Sequence, residues 1–128
     1  FDAVLSDHDT ELAIITAARE MDCEYVWASH SVAALKAGVR QEAIDIVAND
    51  KSLDGLTKEE AVIVRYGREV MGAHKLSQEA FDAALSQFGE ATTIVLGALM
   101  GYYLMIGCTL IATDMRPAEG TPVLPKSR

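Results

Sequence analysis

No proline occurs before Pro117, so for most of its length nothing strips a backbone donor from this chain or forces a helix to stop. Over the same stretch apolar residues recur at intervals of three and four, and no short window alternates in the manner of a strand. The pattern predicts an all-α chain, a single domain of about six helices. Leu12, Ile15, Ala18 and Arg19 mark the first, which Ser6, Asp7 or Asp9 can cap and which runs to about Asp22. A second covers roughly Glu24 to Ala37 and closes at Gly38, whose freedom at positive φ suits a helix C-terminus. A short third spans Gln41 to Ala48, and a loop from Asn49 to Leu56 turns at Asp54-Gly55.

Thr57 and Glu60 have the spacing of a capping box, so a fourth helix begins there and ends near His74. Ser77 caps a fifth, Gln78 to Phe88, which Gly89 closes. A sixth, almost wholly apolar, continues to about Met115. The segment from Arg116 to Arg128 holds all three prolines and reads as an extended tail on the surface.

Composition narrows the function classes. Half of the 128 residues are apolar, which excludes a disordered chain. Eleven Lys and Arg against 19 Asp and Glu give a formal charge of −8, with no basic stripe to neutralise phosphates. Nucleic acid is not an expected partner. The two cysteines, Cys23 and Cys108, are too few and too far apart for a disulfide framework. With no recognisable signal peptide, they suggest free thiols in the cytoplasm. Ala91 to Thr113 carries no charge and contains a Gly97–Gly101 pair, enough by length and motif for a membrane span. Its Thr and Tyr content and its acidic flanks favour a different expectation. It should be a helix buried on all sides, inside the domain or against another subunit.

Phosphate-binding glycine loops, CxxC pairs and zinc or calcium spacings are absent, and His8, His30 and His74 stand on separate segments. Neither a metal nor a cofactor is expected. One helix concentrates reactive side chains: Cys23, Glu24, Tyr25, Trp27 and His30. At 100° per residue Cys23, Trp27 and His30 share a face, and Ala34 extends it. Glu24 and Tyr25 point elsewhere, leaving Glu24 a poor direct partner for the imidazole. A lone histidine on such a face is ordinarily a hydrogen-bonded core residue. Catalysis would instead need a half-dry pocket and an orienting carboxylate from another helix, and Glu11 is the natural donor.

These residues carry a resemblance. Glu11-Leu12-Ala13-Ile14-Ile15, then Cys23-Glu24-Tyr25-Val26-Trp27-Ala28-Ser29-His30, then Ala33 and Gly38, resemble the carboxymuconolactone decarboxylase-like family, whose members read E-L-x-I and E-Y-x-W-x-x-H. Gly101-Tyr102-Tyr103 and the proline-containing tail look like its Trp-containing branch, so the resemblance covers about Glu11 to Pro125. It implies an all-helical fold assembled as a dimer, trimer or hexamer, and no membrane. The activity it implies is cofactor-free removal of CO₂ from a carboxylated lactone or similar small acid. In that reading His30 is the acid/base, Glu11 its partner, and Trp27, Tyr25 and Glu24 line the substrate pocket.

The related alkyl hydroperoxidase D branch places a CxxC dithiol before the same histidine, with Cys23 at the first cysteine. Val26 occupies the second position, so a thiol-dependent hydroperoxide reductase would need Cys108 or an external thiol. A non-catalytic helical oligomerisation module, with His30 merely structural, is the third reading.

Overall fold

The computed structural model describes residues 4–126. Its ordered elements are helical throughout: α1 (Asp7–Glu20), α2 (Glu24–Lys36), α3 (Gln41–Ala48), α4 (Lys58–Gly67) and α5 (Gln78–Ala112). A 3₁₀ turn (Leu53–Gly55) precedes α4, and a π-helical turn (Arg68–Ala73) follows it. The count is therefore five helices where the sequence suggested about six. The difference lies at Gly89, where φ is 82° and ψ 173° inside α5. That backbone region is essentially reserved for glycine. Thr93 Oγ1 donates to the Gly89 carbonyl at 2.7 Å on the far side of the kink, and the predicted boundary between two helices stands as a break within α5.

Local chemistry sets the helix starts. Ser6 Oγ accepts from the Asp9 N–H, and Ser77 Oγ from the Ala80 N–H. Thr57 and Glu60 form the reciprocal capping box, Thr57 Oγ1 accepting from Glu60 N–H and Glu60 Oε1 from Thr57 N–H. Each satisfies donors that a helix N-terminus otherwise leaves open.

α1 is the central element. Every residue from Leu12 to Arg19 is buried, because α2, α3, α4 and α5 all pack around it. Leu12, Ile15, Ile63, Leu96, Leu99 and Met100 make the driest part of the core. Gly67 lets α4 approach α1 closely: a methyl there would stand 2.5 Å from Thr16 Cγ2. Tyr66 ties α4 to α5 by donating its hydroxyl to the Thr93 carbonyl.

Of the two settings expected for α5, the chain itself does not supply the first: only 22% of its most apolar window is covered within the chain, and Ile94, Leu104, Met105 and Ile111 face outward. By length and composition it is also the one helix among the described residues that could cross a membrane. The tail is extended and mostly exposed, as expected, but it is anchored near its end. Leu124 is buried, and Arg19, itself 2% exposed, donates to the Pro125 carbonyl at 2.7 Å and the Ala48 carbonyl at 2.8 Å. A guanidinium in the core needs such acceptors, and the tail supplies one.

Candidate functional site

α1 and α2 form a helical hairpin closed by a tight turn. Asp22 adopts φ 56°, and the Cys23 N–H donates back to the Ala18 carbonyl. Glu11 lies about ten residues before this turn and His30 about eight after it, so an antiparallel return brings them level. The structure does so: His30 Nδ1 is 2.7 Å from Glu11 Oε1. The two side chains are 23% and 17% exposed, so the pair is sheltered yet reachable from solvent. A carboxylate acceptor requires the proton on Nδ1, which leaves Nε2 as the nitrogen available for exchange.

A third residue completes this group, and sequence reasoning had not placed it in the site. Tyr103 of α5 meets the His30 ring edge-on, with centroids 5.2 Å apart and planes at 80°. Burial, with the Glu11 and Tyr102 charges adding to it, pushes the Tyr103 hydroxyl above its ordinary value, so it stays a neutral phenol across the physiological range. The Gly101-Tyr102-Tyr103 run was the available signal, but its meeting with His30 is a tertiary contact that no helical spacing reports.

The remaining predicted site residues go elsewhere. Cys23, Glu24 and Tyr25 line a cavity of about 150 Å³ against the end of α5, with Leu110 and Ile111 on its wall. Arg116 stands on its rim, paired with Glu24 at 2.7 Å. Cys23 is only 1% exposed, and its Sγ lies beside Gly107. Cys108 is the next residue along, but exposed. Trp27, 2% exposed, lines a different cavity with Ser31, Ile44 and Pro125. Cys23 and His30 are seven residues, roughly 10 Å, apart along the helix, and Trp27 packs with Ser31 toward α3 and the tail instead. Among the described residues no three His, Cys, Asp or Glu side chains gather as metal ligands do.

What these elements define is a small all-α domain that pairs an imidazole with a carboxylate at a helical hairpin and sets a phenol against the ring. The model of the carboxymuconolactone decarboxylase family matches residues 1–66, and the chain belongs to that family. The match spans both Glu11 and His30; Tyr103 lies beyond it. No curated protein and no solved structure matches the chain.

Proposed function

We propose that the protein is a cofactor-independent enzyme acting on a small carboxylated lactone or related organic acid through proton transfer at His30. The observation that carries this reading is the 2.7 Å contact between His30 Nδ1 and Glu11 in a sheltered, reachable setting. Glu11 orients the ring, and Nε2 faces the substrate. In a β-keto-like or vinylogous acid, the electrons of the breaking C–C bond move into the conjugated carbonyl as CO₂ departs. The enolate then takes a proton from Nε2–H of the protonated imidazole. Tyr103 holds the ring edge and keeps its phenolic proton as a second donor nearby.

The thiol reading draws little from the geometry. Cys23 is sealed, Val26 beside it is buried too, and the exposed Cys108 is directed away from the packed side of α5. We further propose a cytoplasmic homo-oligomer whose contacts cover the outward apolar side chains of α5; light scattering on the purified chain gives its size.

The test is CO₂ release from a panel of carboxylated butenolides and β-keto acids. Wild type should turn over at least one class. His30→Ala, its fold verified by circular dichroism, should lose about 10²–10⁴-fold in rate. Full activity in His30→Ala overturns the assignment, and turnover of hydroperoxides with a dithiol instead would favour Cys23.

A further inference from the structure

A second cavity, of about 230 Å³, lies between α2, α3 and the tail, away from the His30–Glu11 pair. Trp27 and Ser31 come from α2, Ile44 and Ala48 from α3, and Pro122 and Pro125 from the tail. Two features distinguish it from a packing fault. Its walls are clipped together: the Arg19 guanidinium donates at once to the Ala48 carbonyl on one side and the Pro125 carbonyl on the other. And Ser31 on its wall, only 4% exposed, has a buried hydroxyl with no hydrogen-bond partner. Buried hydroxyls are almost always paired, so an unpaired one beside a cavity marks where a ligand group or water is to be expected.

We propose that this cavity is a binding site for a compact uncharged molecule that pairs an apolar ring with one hydroxyl. The ring suits the Trp27, Ile44 and proline surfaces, and the hydroxyl suits Ser31, which can donate and accept. Charge selects the class. Gln41, Asp45 and Asn49 stand on the cavity's exposed rim with no Lys or Arg in its lining, and the terminal nitrogens of Arg19 behind it are engaged by two carbonyls and Asp22. Asp45 on the rim would repel a carboxylate and no cation in the lining would pair with it, so this site disfavours the acids proposed for His30.

Trp27 is the sole tryptophan, so its emission reports on this cavity directly. Cyclohexanol is a suitable probe because it neither absorbs nor emits in the tryptophan range. Titration should give a saturable change in Trp27 emission, with amide shifts at Ala48 and Val123 locating the site. Cyclohexanecarboxylate should give none. Ser31→Ala, a change small enough to leave the fold intact by circular dichroism, should weaken cyclohexanol about three- to tenfold. No saturable change in the wild type would mean that the cavity holds water alone and overturns the proposal. So would unaltered affinity in Ser31→Ala, equal binding of the carboxylate, or shifts that avoid Ala48 and Val123.

Discussion

Replacing Gly67 with alanine tests how closely α1 and α4 are packed. Its φ of −64° is ordinary helix, so the substitution carries no backbone strain and by propensity alone should add about 1 kcal/mol of stability. The new methyl, however, would lie 2.5 Å from Thr16 Cγ2 and 3.0 Å from the Met100 terminal methyl. Met100 can swing aside. Thr16 is 1% exposed and its Oγ1 is tied to the Leu12 carbonyl at 2.8 Å, so turning it away breaks a buried hydrogen bond. Parting the helices instead costs about 1–3 kcal/mol, as overpacking does. The steric term should offset or exceed the propensity gain, leaving Gly67→Ala destabilised by up to about 2 kcal/mol.

Thr16→Ser removes the offending methyl and keeps the hydroxyl. Alone it should cost about 1 kcal/mol for a lost buried methyl. In the Gly67→Ala background it should be neutral or stabilising, a coupling of at least about 1 kcal/mol. Urea unfolding followed by Trp27 emission and far-UV circular dichroism measures all four proteins. Additivity within about 0.5 kcal/mol would refute the close approach of α1 and α4.

Other consequences are simpler to check. Gly89→Ala forces a side chain into a glycine-only backbone region and should lower stability by about 1–3 kcal/mol in the same urea assay. Glu60 is held below the ordinary carboxylate value of 4.5 by its hydrogen bonds from Arg40, against the opposing effect of burial. Its contribution is complete above pH 4.5 and is lost as pH falls through the lowered value. Glu60→Gln should therefore flatten the acid limb of the urea midpoint against pH, and a limb of unchanged steepness would remove Glu60 from the explanation. Glu11→Gln puts an amide donor where Nδ1 needs an acceptor and should cost rate through the wrong tautomer, a loss that can reach about 10⁴-fold.

The parts legible in the sequence are those that depend on neighbours a few residues away. The Thr57–Glu60 box, the Ser77 cap and the special backbone at Gly89 are local chemistry and appear where the spacing placed them, while Ser6 is the one of three candidate caps that the first helix uses. The pairing of Glu11 with His30 was also legible, since a short hairpin leaves the return of α2 along α1 little freedom. Tyr103 was not, because it reaches His30 across most of the chain. Nor was the separation of Cys23 from His30: a helical projection reports angle but not height along the axis. Which surface covers α5 was not legible for a related reason. Its apolar residues go all round the helix, and such a pattern does not say whether the covering surface belongs to the same chain.

The role given to His30 rests on Glu11 holding the proton at Nδ1, and a long-range ¹H–¹⁵N spectrum of the imidazole reads that proton directly. At a pH where the ring is neutral, His30 should show a protonated Nδ1 and a bare Nε2, with the pattern reversed or mixed in Glu11→Gln. A proton on Nε2 in the wild type, or a spectrum indifferent to Glu11→Gln, would contradict the proposed acid/base pair.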